Sequence, residues 1–472
     1  MRLSIALVTI ALVVGACTAT LDPPPTSQPS STSTIGPTTT STVPTTTTTE
    51  VSSHEVGLYR VDPATLTPVT GTEPLTTGDG VWGQLSDNGE WLALHVWVEG
   101  DPETDLIQVI HIPSGEIVTQ VPGRLNDLVG VADDGTVYTM LWRVTERWTL
   151  RKLVPGASGF ADVSDDFPSE FVHRGPTALI QSGILVWLGT FGGDFEESVA
   201  GIVSIDLTDG SAESYRLPGV TIGKVGEEDL GDESAPEIVD PALVGDPAGH
   251  RVLVVHADRL AVTEVDLMTG EVAEHDLSSS ASWLGRLFTW LVPPATADGG
   301  GPSFGTTKSA VLSPSGERLY VASARSEVVW DDDGEWEVVT IPQGVQAIDT
   351  VTWEMAARWD VPASTVAVSP DGNYLVATGT TMIDRLSITD FRSEGVFVID
   401  TMTDELIGHL EGPNEFPEVH FSPDDDYLYI VGSGGGRIDI VDLATLEITD
   451  TVVGPEQLTV FGDVPLLVTG LR

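Results

Sequence analysis

The stretch Val368-Ser-Pro-Asp-Gly-Asn-Tyr-Leu-Val-Ala-Thr-Gly379 decides the fold. Pro370 sits where φ near −65° is wanted and Gly372 where a left-handed residue is wanted, so Ser369 to Gly372 reads as a type I turn closing into a bulged β-hairpin. Tyr374 to Ala377 continues as a short apolar strand. A two-stranded hairpin is marginal alone in water, so a chain that repeats it must stack the copies into one body.

Working outward, the same hairpin recurs at Leu85–Leu94, Val131–Tyr138, Leu312–Val321 and Phe421–Ile430, with weaker copies at Val244–His256, Leu179–Leu188 and Leu458–Thr469. A second kind alternates with it, a strand that ends in a polar residue before a tight turn: Val203–Gly210, Val265–Gly270, Val396–Asp404 and Ile438–Leu446, with others beginning near Gly57, Ile107, Thr149 and Gln346. Asp206, Asp266, Asp400 and Asp442 stand where a carboxylate accepts hydrogen bonds from turn N–H groups, which assigns them to structure rather than catalysis.

These hairpins resemble those of the YVTN-type and WD-repeat-like β-propeller families, whose blades run apolar strand, Ser-Pro-Asp-Gly, apolar strand, then a strand ending in Asp-x-x-Thr-Gly. The resemblance covers nearly all of residues 51–472. It implies an all-β propeller of four-stranded antiparallel blades and says almost nothing about activity, because propellers host many functions. Eight copies of each hairpin favour eight blades over the alternative of seven, for which the weak copy over 149–184 leaves room. The chain opens with the second kind and closes with the first, so Leu458–Thr469 and Gly57–Val69 are expected to share a blade and remove the open sheet edges.

Composition narrows the partners. The formal net charge of the 472-residue chain is −50, from 71 acidic against 21 basic residues. That argues against nucleic acid or anionic lipid as a partner of the folded body. The acidity reads as a solubilising surface; the competing reading is a specific cation site, with Glu227, Glu228, Asp229, Asp232 and Glu233 as its first candidates. One cysteine excludes a disulfide framework.

That cysteine follows a short apolar segment. Met1-Arg2 and then Leu3 to Val14 have the shape of a secretory signal, too short for a permanent span. Val14-Gly15-Ala16-Cys17 resembles the lipobox of bacterial lipoproteins, which implies signal peptide 1–16, acyl chains on Cys17 and a membrane-held protein facing outside the cytoplasm. Residues 17–50 are rich in Thr, Ser and Pro and cannot bury a core; they form a tether that as a flexible coil reaches on the order of 30 Å. The propeller is expected over 51–472.

The Ser-Pro-Asp-Gly and Asp-x-x-Thr-Gly turns all fall on one face of a propeller, whereas every long insertion falls on the other: Phe191–Ala200, Pro218–Ala242, Ser278–Ser309, Arg325–Gly344 and Thr380–Gly395. Long insertions carry function more often than tight turns do. Trp283, Leu287 and Leu291 have the spacing of one face of a short helix, and Trp283, Phe288 and Trp290 are candidates for an aromatic docking surface, although a plug that buries the rings is the blander reading. Glu327–Val339 reads as an extra hairpin turning at Asp333-Gly334 with Trp330 and Trp336 on its arms.

No phosphate loop, dinucleotide glycine pattern, His-Glu-x-x-His or Gly-x-Ser-x-Gly is present, so no cofactor and no metal site is expected. Asp331–Asp333 and Asp424–Asp426 lack the spacing of a calcium loop and read as solvated turns. The expected function is therefore a cell-surface binding or scaffold module for an unidentified protein or glycan. The alternative is a propeller enzyme, a lactonase-like hydrolase or a quinone-dependent oxidoreductase. The tryptophans faintly resemble those of eight-bladed quinoprotein dehydrogenases, but the repeated Gly-Trp docking signature and an adjacent cysteine pair are absent.

Overall fold

A computed structural model describes residues 57–61, 64–66, 68–71, 80–86, 88–97, 105–123, 126–142, 148–164, 168, 170–180, 183–192, 199–229, 234–247, 249–277, 303–330, 336–385, 388–411, 417–422, 424–432, 437–453, 457–461 and 466–470. All of them belong to the compact unit Thr47–Arg472. Cys17, the signal segment and the tether lie outside the described residues, as do Trp283, Phe288 and Trp290.

Every regular element among the described residues is a strand, from β1 (Gly57–Val61) to β34 (Leu466–Gly470), numbered along the chain. The deciding hairpin is β25 (Thr365–Val368) against β26 (Tyr374–Arg385), and its turn is built as the residue types require. Gly372 takes φ 77° and donates its N–H to Ser369 O at 2.8 Å. The buried Ser369 hydroxyl accepts the N–H of Tyr374 at 2.9 Å and donates to Asp371 at 2.7 Å. Ser86, Ser313 and Ser422 repeat this clamp, each accepting from the N–H five residues on at 2.9 to 3.0 Å. The second kind of turn also holds: Asp206, Asp266, Asp400 and Asp442 each accept backbone N–H groups of their turn at 2.7 to 3.0 Å.

The strands associate as six antiparallel four-stranded sheets and one of ten strands. In the ten-stranded sheet, β21 (Ser303–Leu312), β22 (Arg318–Trp330), β23 (Trp336–Asp349) and β24 (Met355–Trp359) keep the four-strand order, and so do β25, β26, β27 (Ile388–Asp400) and β28 (Glu405–Leu410). The terminal sheet joins both ends of the unit, with Leu58 opposite Val468.

Alternating strands bury both faces of each sheet, so successive sheets stack face to face. Ala93, Ile107 and Val109 pack with Leu128, Val131 and Val137 of the next sheet, whose Tyr138, Met140 and Leu150 meet Leu185, Trp187 and Val203 of the one after. The same succession continues through the sheets at Val252, Leu319, Leu375 and Leu428. The result is a propeller-like ring of antiparallel sheets whose core lies in the seams between them.

Candidate functional site

The strands of two neighbouring sheets run on past the ring. Residues 318–323 of β22 pair with 344–349 of β23 as ordinary blade strands; a bulge at Ser323/Ala324 then redirects the pair, and Ala324 to Trp330 continue against Pro342 to Trp336. β26 and β27 do the same beyond a bulge at Gly379/Thr380. Bulges strengthen twist and bend a strand out of its sheet, which is how both pairs leave their blades. The two extensions then join, with Val338, Val339 and Thr340 opposite Asp384, Ile383 and Met382. On the other side β15 (Gly223–Asp229) and β16 (Ser234–Asp240) form a hairpin, and β16 adds in parallel to β21 through Ile238 opposite Gly305.

Four of the five long insertions thus build one mixed sheet, in the order β15, β16, β21, β22, β23, β26, β27. The sequence marked them as separate loops on one face, whereas the structure makes 325–344 and 380–395 largely strand and pairs them with each other. The extra hairpin at Glu327–Val339 is present, and Trp330 and Trp336 are register partners at its tip. Glu227, Glu228 and Asp229 stand on β15 in backbone register with Pro236, Ala235 and Ser234, while Asp232 and Glu233 lie outside the described residues.

The extension sheet exposes large apolar side chains, as do the tight turns, where Met268, Val351 and Met402 are 71%, 78% and 80% exposed. Val329 and Ile341, 41% and 39% exposed, share one face of the sheet, and Phe391, 36% exposed, lies on the other beside Met382. Around them the polar groups are already paired: Ser326 with Thr340 at 2.7 Å, Arg325 with Glu327 at 3.2 Å, and Thr381 donating to Glu394 at 2.8 Å. Apolar residues between satisfied polar pairs can be covered by a partner without stranding a charge.

At the root of the sheet, three ionisable groups stand on or beside the adjoining strands β16, β17 (Ala242–Gly245), β18 (Arg251–Val255) and β21, without contacting one another among the described residues. Asp240 is opposite Thr307, Ala242 is opposite Val255 beside His256, and Lys308 follows Thr307. Burial pushes all three toward their neutral forms. It raises the Asp240 carboxyl above its usual range, lowers His256, with the Arg259 charge adding to the effect, and lowers the Lys308 amine to about 8. His256 is fully enclosed, bonded to Thr263 at 2.8 Å and to Arg259 at 3.2 Å; Arg259 is clamped in turn by both oxygens of Glu274 at 2.8 Å. Asp240 and Lys308 have no such shell among the described residues. Among the described residues no group of three His, Cys, Asp or Glu side chains is arranged to hold a metal ion.

Composition gave no hint of these groups. Lys308 falls inside an insertion read as loop, and the available signal was its rarity, since the chain has three lysines, Lys152, Lys224 and Lys308.

The chain folds as a β-propeller. Its sequence matches no family model and no curated protein. Among solved structures it is similar to dihydro-heme d1 dehydrogenase NirN in complex with DHE, at 14% identity over 87% of this chain and 76% of that one, TM-score 0.44. It is also similar to apo AztD from Citrobacter koseri, at 10% identity over 89% and 100%, TM-score 0.42, and to TolB from Acinetobacter baumannii, at 15% over 82% and 78%, TM-score 0.31. At such identities a likeness does not extend to ligand or activity.

Proposed function

We propose that this protein is an eight-bladed propeller held at the cell surface by acyl chains on Cys17, and that it binds an envelope or extracellular ligand, protein or glycan, through the extension sheet without catalysing a reaction. The observation that carries the reading is the union of four insertions from separate parts of the chain into one sheet with exposed Val329, Ile341 and Phe391. A propeller needs no such sheet for its own core, because the seams between blades already bury the apolar strands. The Val14-Gly-Ala-Cys17 motif and the Thr/Ser/Pro tether support the surface address.

Two experiments test it. Mass spectrometry of the mature N-terminus should find an acylated Cys17, and Cys17→Ser should abolish lipid labelling; a free N-terminus at another residue refutes the anchor. Capture from envelope extracts should be compared between the wild-type chain and a Val329→Ser, Ile341→Ser, Phe391→Ser variant, whose changes lie on the surface and leave the blade seams intact. The specific partner should be lost from the variant. Identical capture by both refutes the extension sheet as the binding surface.

A further inference from the structure

Among the described residues the extension sheet ends in two edges that no strand covers, β15 on one side and the outer half of β27 on the other. β28 pairs with Val396 to Asp400 of β27 and goes no further, so residues 388–393 pair with β26 on one side and with no strand on the other. The open part begins at Glu394, whose carbonyl oxygen is met by His409 Nε2 at 3.2 Å. An edge of this kind presents its backbone N–H and C=O groups to any strand that can lie beside it.

The two edges differ in what they would set against a copy of themselves. In a two-fold antiparallel pair, residue i faces residue j and j faces i. On β15, a pair centred on Glu228 sets Glu228 against itself and Glu227 against Asp229, and like charges directly opposite oppose the pairing. On β27, a pair centred on Phe391 sets Phe391 against Phe391, Asp390 against Arg392 and Thr389 against Ser393. The pleat sorts these contacts: Phe391 stands on the face that carries Met382, and Asp390 and Arg392 stand together on the other. One aromatic pair and two opposite-charge pairs are the combinations that stabilise adjoining strands. Asp390, Phe391 and Arg392 are all exposed, and Arg392 lies 3.8 Å from Glu394, a carboxylate that already accepts the Thr381 hydroxyl at 2.8 Å.

We propose that β27 pairs edge to edge with β27 of a second copy of this chain, in two-fold antiparallel register centred on Phe391, so that two extension sheets join into one. The charge of −50 on each copy works against association, but exposed charges beyond a Debye length of about 8 Å are largely screened at physiological salt, and the charges brought into contact are opposite in sign. This goes beyond the binding reading. Its test uses the purified chain without any ligand, so it and partner capture can each fail alone.

The test is sedimentation velocity of the purified full chain in mild detergent, at physiological salt and tens of micromolar protein. The wild type should sediment as a dimer. Arg392→Glu should weaken the dimer at least about tenfold, because the two-fold axis turns both ion pairs into like-charge pairs. Adding Asp390→Arg to that variant restores opposite charges and should bring the affinity back to within about threefold of wild type. Register is read with an ethylene-linked bismaleimide. Thr389→Cys combined with Ser393→Cys should be bridged between copies, whereas either substitution alone should not, since like positions then lie at least about 13 Å apart along the strands. Peptide mass spectrometry locates the bridge and separates it from any at Cys17. A wild-type chain that stays monomeric, a dimer indifferent to Arg392→Glu, a loss that Asp390→Arg does not reverse, or bridging by the single variants as readily as by the double one overturns the proposal.

Discussion

Asp425→Asn should stabilise the protein at neutral pH and leave it nearly unchanged in mild acid. The sister turns place Gly89, Gly135, Gly316 and Gly372 at φ 68° to 81°; the turn at Ser422 places Asp425 there instead, at φ 58°. Its Oδ2 accepts the N–H of Asp371 on the neighbouring blade at 2.9 Å, but its Oδ1 is buried without a hydrogen bond. Burial, with the charges of Asp371 and Asp424 adding to it, raises the Asp425 carboxyl to about 6, while hydrogen bonds from Asn373 and Ser369 outweigh burial at Asp371 and hold that group below the usual range. A carboxyl whose folded pKa is raised binds its proton more tightly in the native state, so its stabilisation is present in acid and is lost as pH rises through about 6. A rise from the ordinary carboxylate range to about 6 corresponds to roughly 3 kcal/mol, which partial solvent contact reduces to about 1 to 1.5 kcal/mol. Asparagine keeps an acceptor for Asp371 N–H, adds a donor toward the Asp371 carboxylate and tolerates the left-handed region. Urea unfolding followed by tryptophan fluorescence from pH 3.5 to 8 should show the variant gaining about 1 kcal/mol over wild type as pH rises, with convergence below about pH 4. A difference that does not vary with pH, or a variant less stable at pH 8, refutes the reasoning.

Other consequences concern packing and charge. Gly379→Ala should cost about 3 kcal/mol, measured by denaturant unfolding, because an added methyl overlaps the carbonyl oxygen of Pro362 at the bulge where β26 leaves its blade. Trp187→Ala should cost about 3 to 5 kcal/mol in the same assay, since its fully buried ring fills the seam against Tyr138 and Met140. Raising sodium chloride from 0.05 to about 1 M should raise the melting temperature by screening the −50 charge, and calcium should do no more than its ionic strength predicts; a saturable calcium effect at low concentration would instead reveal a specific cation site.

The blades were legible in the sequence because their determinants are local. Ser369-Pro-Asp-Gly372 and Val265-Asp-Leu-Met-Thr-Gly270 carry their own turn chemistry within six residues, and the structure builds both with the expected bonds. The extension sheet was not legible. Val338–Asp384 pairing joins segments more than forty residues apart, and each segment alone reads only as a hairpin or an insertion. Asp425 was misread for a related reason: Asp424-Asp-Asp426 looks like a solvated acidic turn, and nothing local shows that one carboxylate oxygen is enclosed by the next blade.

The central claim is that the extension sheet, not the tight-turn face, is the surface that meets the ligand. Hydrogen exchange of the full chain, alone and after incubation with envelope extract, tests it most directly. Amides of 324–330, 336–342 and 380–385 should slow when the extract is added, while those of the Ser86, Ser313 and Ser369 turns keep their rates. Protection confined to the turn face, with the extension sheet unchanged, would contradict the claim.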